Sequence, residues 1–449
     1  LLAEAVRLGA LNARYRLGRL TIADGRAAEG VALVRAAADR GHPMAATYMA
    51  HLLGEGAGAI GLKPDPKQAL AYLRGAAEDG FGPAANDLGR LYDLGLGQPA
   101  DAAEAAKWYR RALQFDFAPA AYNLGLLLAS SRLGAADLPG AREAYRIAAE
   151  AGFAPGQGKF GEYLRDGLGG PADQAGSVIW LRRGAEAGDA DAQNHLALSY
   201  SNGFGLPVDP AQAMDWWEKA ASQGHQAAIN NFTNNLVNGQ GRPADPARAV
   251  ALLTEAAGRG LPRSTFRLAL WHEAGYAGLP ADPAKAAVWF KRAADAGSSR
   301  AMFKYAAYLE AGAAGLKADP AAALAWYRRA AEAGNAEALF LLARYSFNGE
   351  GVPVDVPAAM RHLRQAAERG NAEALFVLGD FHFRGENVPG DAVLAWVHWA
   401  VAERLGLAEA GRNRRMIERQ IVAPEDRARA QAAASRLLAG ALAAQREEE

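Results

Sequence analysis

Small and large apolar residues recur at helical spacing along most of this chain, in short runs broken by Gly, Pro and Asp. The stretch from 335 to 370, NAEALFLLARYSFNGEGVPVDVPAAMRHLRQAAERG, shows the pattern most fully. It predicts two short helices joined by a glycine-rich loop, and close copies of it fill the sequence almost to its end. Closing glycines mark the period: Gly9, Gly41, Gly80, Gly152, Gly188, Gly224, Gly260, Gly297, Gly334, Gly370 and Gly406, with Asp116 standing where one more is due. Successive marks lie 36 or 37 residues apart, except for 32 in the first repeat and 39 in the second. Eleven repeats result, and self-similarity at such a period signals stacked helix pairs.

Each recurring position has a physical reason. A glycine just past a helix end reaches the left-handed backbone that stops the helix. Four residues on comes a small side chain (Ala45, Ala84, Ala192), and four further a large apolar one (Met49, Leu88, Leu196). The next position is small again, as at Gly89, Gly125 and Gly379. Small residues let helices approach, and the large one fills the seam. After the loop an Asp is placed to cap the second helix in ten repeats: Asp65, Asp101, Asp137, Asp173, Asp209, Asp245, Asp282, Asp319, Asp355 and Asp391. Pro follows it in five of them, where its fixed φ suits the first helical turn. The second helix then carries Ala and, three residues on, a bulky aromatic, as in Ala213 with Trp216 or Ala323 with Trp326.

The string A-x-x-x-L-G/A … G-x-G-x-x-x-D-P-x-x-A-x-x-W/Y-x-x-A-A-x-x-G resembles the Sel1-like repeat, a relative of the tetratricopeptide repeat with a longer glycine-rich loop. It runs over residues 10–406. The resemblance implies an all-α, right-handed α-solenoid with residues 1–406 as the repeat array. Residues 407–449 are then a C-terminal pair of capping helices, broken before Pro424 and fraying at Glu447–Glu449. Departures are local. The first repeat lacks the Asp-Pro loop, and SSRLGAADLPG at 130–140 lacks Gly-x-Gly.

Composition narrows the functional classes. Acidic and basic residues number 49 each, so net charge offers no general attraction to nucleic acid, and none is expected as a partner. Cysteine is absent, which removes disulfides, thiolate metal sites and a cysteine nucleophile. No apolar run reaches the length of a membrane span. Leu1 rather than Met opens the sequence, so an upstream segment is expected to be missing. The ratio of 40 Arg to 9 Lys fits a GC-rich bacterial source.

Catalytic motifs are wanting. There is no H-E-x-x-H, G-x-S-x-G or Walker A string, and GEGAGAIG at Gly54–Gly61 lies in the repeat's ordinary loop. His42 and His51 are the one histidine pair near metal spacing, and shared metal binding is not the preferred reading. Neither a cofactor nor an enzymatic role is expected. Arg412, Arg414, Arg415 and Arg419 read as a solvated face of the capping helix. Eight of the nine tryptophans sit on second helices and read as core; Trp271 does not, and an accessible Trp271 would favour sugar contact.

One stripe of the first helix, away from its apolar side, is the candidate site. By resemblance to tetratricopeptide superhelices it faces a concave groove. It carries Asn123, Lys159, His195, Asn202, Asn231, Asn234, Asn238, Arg267 and Lys304, with Asn230 and Asn235 beside the central three. Asn offers a donor and an acceptor at one tip and can pair with the main chain of an extended peptide. The alternative is a plain solvated face. Family resemblance implies a non-enzymatic scaffold or adaptor that binds a protein or peptide. A periplasmic accessory scaffold of an envelope polysaccharide or secretion machine is the alternative, and a hydrolase the remote one. An exported or periplasmic location is thereby favoured over a cytoplasmic one.

Overall fold

A computed structural model describes residues 2–55, 62–418 and 424–448. It is all-α, with 25 helices, 75% helical residues and no strand among the described residues. The chain forms two compact units, Leu1–Ala228 and Ile229–Glu449, and the division falls inside the helix Gln226–Asn238. Eleven helix pairs follow one another, from Leu11–Ala23 with Ala27–Ala38 to Ala372–Arg384 with Ala392–Arg404. Within each unit a leading helix packs on its own trailing helix, which packs in turn on the next leading helix. This serial stacking is the α-solenoid that the repeat pattern predicts.

Local chemistry sets the helix limits. All ten loop aspartates cap the trailing helix, each side chain accepting from an amide two or three residues on; Asp65 accepts from the Gln68 amide at 3.0 Å. Such a cap stabilises a helix by about 1 kcal/mol. Leading helices are capped less uniformly. His42, Asp189, His225, Ser298, Asn335 and Asn371 cap with side chains, whereas Phe81, Phe153 and Leu261 do not. The closing glycines all have positive φ, and Asp116 takes the same region at φ 55°.

The seam between the two helices of a pair depends on close approach. A Cβ added to Gly125 would lie 2.5 Å from the Tyr145 ring, and one on Gly379 would lie 2.5 Å from the Trp399 indole. Gly89 against Tyr109 and Gly161 against Leu181 repeat the arrangement. A large trailing-helix side chain therefore rests directly on the backbone of the leading helix. Among the large leading-helix positions, Met49, Leu88 and Leu196 have no exposed surface. Trp217 and Trp399 are buried, while Trp108, Trp180, Trp216, Trp289 and Trp326 are half-buried. Over each of these five lies an Arg or Lys one turn on, as Arg329 lies 4.0 Å from the Trp326 ring.

Irregular repeats have visible causes. In the first, three residues link the two helices, leaving no room for the usual loop. In residues 130–137 a single 3-10 turn, Ser131–Leu133, replaces the double-glycine loop, and Arg132 pairs with Asp93 of the preceding repeat at 2.7 Å. At the C-terminus, Ala408–Ile417 packs on Ala392–Arg404, and Pro424–Glu448 lies against both Ala392–Arg404 and Val356–Glu368. Gln445 Nε2 donates to the Gly370 carbonyl at 3.0 Å. The last helix is described through Glu448, and Glu449 lies outside the described residues. Residues 56–61, most of the GEGAGAIG string, lie outside the described residues, as does Arg419.

The seam makes opposite outcomes testable for one kind of substitution. Gly125→Ala should destabilise by about 1–3 kcal/mol, because the methyl meets a buried ring. Gly258→Ala, in a helix with open space around the position, should stabilise by about 0.5–1 kcal/mol. Urea unfolding of the two variants checks both signs.

Candidate functional site

The stripe sits on the leading helices, and its residues behave differently according to their register. In five repeats the residue at the seventh position of the leading-helix segment (Asp87, Asn123, His195, Arg267 and Lys304) is drawn towards the neighbouring repeat. In the first unit Asn123 donates to Asn86 Oδ1 of the preceding leading helix at 2.7 Å. Next to Asn86, Asp87 pairs with His51 of the repeat before at 2.7 Å. In the second unit Arg267 donates to Asn234 Oδ1 at 2.6 Å, and Lys304 pairs with Glu273 at 3.3 Å. Tyr308 adds a bond to Glu273 at 2.8 Å. These contacts cross from one repeat to the next. Much of the stripe is therefore a ladder of polar ties rather than the plainly solvated face that helical spacing allows.

Lys159 and His195 belong to the densest rung. Lys159 pairs with Glu162 at 2.8 Å, and His195 Nε2 lies 3.4 Å from the same carboxylate. Arg165 Nη1 approaches His195 Nδ1 at 3.1 Å. A guanidinium has no acceptor, so Nδ1 accepts from it and the ring proton sits on Nε2, directed at Glu162. Burial opposes the Glu162 charge, but the His195 and Lys159 contacts prevail and hold its carboxyl down at about 2. Burial likewise opposes the charge on Lys159, and Glu162 overrides it so that the ammonium is held above its ordinary value. One repeat further, His225 Nε2 pairs with Asp191 at 2.8 Å while its Nδ1 caps the next helix.

Asn202, Asn234 and Asn238 are exposed. Asn202 donates to the Leu198 carbonyl of its own helix at 3.0 Å. Asn235 donates to the Asn231 carbonyl at 2.8 Å. Asn230 has a buried Oδ1 without a hydrogen-bond partner. Asn234 uses its oxygen on Arg267, and no described residue accepts from its amide group or engages Asn238. Three side chains thus face water with donors to spare, while the half-buried members of the stripe are engaged.

Other sequence candidates find ordinary partners. His42 accepts from the Ala45 amide and His51 pairs with Asp87, so the two do not converge. Arg414 and Arg415 pair with Glu403, and Arg412 lies 3.9 Å from Glu409. Trp271 is 6% exposed and packs edge-on against Tyr276, so the accessible ring that would favour sugar contact is not available. Sequence reasoning missed Glu162, Asp87 and Glu273, the carboxylates that fix the stripe's cations and His51. Glu162 and Glu273 lie one to two turns past the stripe residues Lys159 and Arg267 of their own repeats, and Asp87 itself stands seven residues after Gly80.

Nine stretches of the chain match the Sel1 repeat model: residues 43–81, 82–114, 156–189, 190–225, 236–261, 262–298, 299–335, 336–371 and 372–407. They cover more than half of the sequence. The chain belongs to the Sel1 repeat family. The two helix pairs left wholly unmatched are the short first repeat and the one at 117–150, whose helices are joined by the irregular loops described above; residues 226–235 of the helix Gln226–Asn238 also fall outside the matches. No curated protein matches the sequence. Among solved structures, a protective antigen of uropathogenic Escherichia coli with an SLR fold is 26% identical over 92% of this chain and 96% of its own, with a TM-score of 0.48. A Sel1 repeat protein from Oxalobacter formigenes is 30% identical over 50% of this chain and 90% of its own, TM-score 0.46. Yeast Tom70 is 13% identical over 93% and 97%, TM-score 0.41. Sel1 repeats are typically scaffolds rather than catalytic domains.

Protonating Glu162 tests the rung. Its folded pKa lies below its unfolded one, so the stabilisation is present above about pH 4.5 and is lost as pH falls towards 2. Glu162→Gln should cost on the order of 2 kcal/mol at pH 7 and flatten the acid limb of stability, read by thermal melts across pH 2–7.

Proposed function

We propose that this Sel1 repeat protein is a non-enzymatic adaptor that holds an extended segment of a partner protein along its leading-helix face. The observation that carries the reading is the pair Asn234 and Asn238, exposed on one helix with amide donors unspent inside the chain. Extended main chain presents alternating carbonyl and amide groups, which such side chains match without reading sequence. Asn is a mediocre helix former, so a run of five in Asn230–Asn238 costs stability that Ala would not. A repeat protein can tolerate that cost where the neighbouring repeats hold the helix in place. The polar ties supply such support in each unit, keeping the face rigid before a partner arrives.

An accessible Trp271 would have favoured sugar contact, and that ring is buried. An exported scaffold of an envelope assembly is compatible with the same adaptor chemistry, with no membrane-spanning helix among the described residues.

Asn231→Ala, Asn234→Ala and Asn238→Ala combined should leave helicity unchanged or raised, by circular dichroism, and reduce partner capture from host lysate at least about tenfold. Undiminished capture would remove the asparagines from the interface.

A further inference from the structure

Cations on the stripe normally have a carboxylate beside them. Lys159 has Glu162 and Lys304 has Glu273. Arg267 and Arg300 in the second unit do not. Arg267 stands on the helix Pro262–Ala274, half-buried, and its only described hydrogen bond goes to the neutral Asn234. Arg300, on Ser299–Ala311, lies with its guanidinium 5.1 Å from the ring of Phe266, the residue preceding Arg267. Among the described residues neither arginine forms an ion pair with a carboxylate. Burial, with the Arg300 charge adding to it, pushes Arg267 below the ordinary arginine value. Arginine does not shed its proton in a protein, so the two positive charges stay together at an energetic cost.

The first turns of the same two helices line a cavity of about 350 Å³, with Arg263 and Arg369 in its wall beside Ser298. Arg267 stands one turn beyond Arg263 on the same helix and carries the Asn234 contact.

We propose that Arg267 and Arg300 form a docking site for acidic side chains of an extended partner segment. The proposal deepens the adaptor reading and rests on it: asparagine amides hold the main chain, and the two guanidiniums select Asp or Glu beside it. Guanidinium binds carboxylate through two parallel hydrogen bonds, which neutralises the pair and adds direction. A nucleic acid is the poorer match. It needs a continuous basic track, whereas this chain is neutral and most stripe cations are already paired.

The probe is a ten-residue Glu-Ser repeat peptide with an amidated C-terminus, labelled with fluorescein, against the Gln-Ser peptide carrying the same label. Fluorescence anisotropy with the full chain at low salt should show the Glu-Ser peptide binding at least about tenfold more tightly, with the preference fading as salt rises. Arg267→Gln with Arg300→Gln should equalise the two peptides while circular dichroism stays unchanged. Asn234→Ala with Asn238→Ala should weaken both peptides alike. If the arginine variant keeps the preference, or neither peptide binds, the docking site is overturned. It is overturned equally if a ten-nucleotide single strand binds as tightly as the Glu-Ser peptide. If the asparagine variant changes neither affinity but the arginine variant removes the preference, the main-chain reading fails and the charge site stands.

Discussion

Everything in this molecule depends on how closely a leading helix can be approached by its trailing partner. A pair of thirteen-residue helices cannot enclose a core, and short isolated helices are marginal in water. The solution here is a backbone bare enough, at Gly89, Gly125, Gly161 and Gly379, for a Tyr, Leu or Trp to rest on it. Each such contact removes a large apolar side chain from water and fixes the angle of the pair. That angle decides which side of the leading helix meets the adjoining repeat and which is left to the solvent. The polar stripe follows from the seam.

On that stripe two demands compete. Repeats must be held in register, and cross-repeat bonds such as Asn123 to Asn86 and Lys304 to Glu273 serve that purpose. A binding face must keep some groups uncommitted. The division follows position: half-buried residues make the ties, and exposed Asn234 and Asn238 keep their donors. Neutralised rungs such as Lys159–Glu162–His195 contribute to rigidity and attract no charged guest.

The architecture was legible because each repeat states it redundantly. Closing glycine, loop Asp, Ala and aromatic all point to the same helix pair, and all ten aspartates cap as their spacing implied. The pair at 117–150 kept its place in the period even with Asp116 for Gly and a 3-10 turn for the loop, because the seam residues Gly125 and Tyr145 persist. The site was legible only in part. Helical spacing says which side of one helix a residue occupies. It does not say that Glu162 of one repeat reaches His195 of the next, or that Arg267 lacks the carboxylate that Lys304 has. Those facts arise from stacking, which brings together positions about thirty to thirty-seven residues apart and leaves no trace in either helix alone. Trp271 failed as a sugar platform for the same reason: Tyr276, in the loop beyond it, covers the ring.

The last helix has a kinetic meaning. An array of nearest-neighbour contacts can add or shed one repeat at a time from its end. The bond from Gln445 to Gly370 closes a circuit of 75 residues, and the same helix touches two earlier trailing helices. The C-terminal repeats are thereby bound into a single cooperative block. Such a block forms late, since a long loop must close before its contacts exist, and once formed it resists the loss of single repeats.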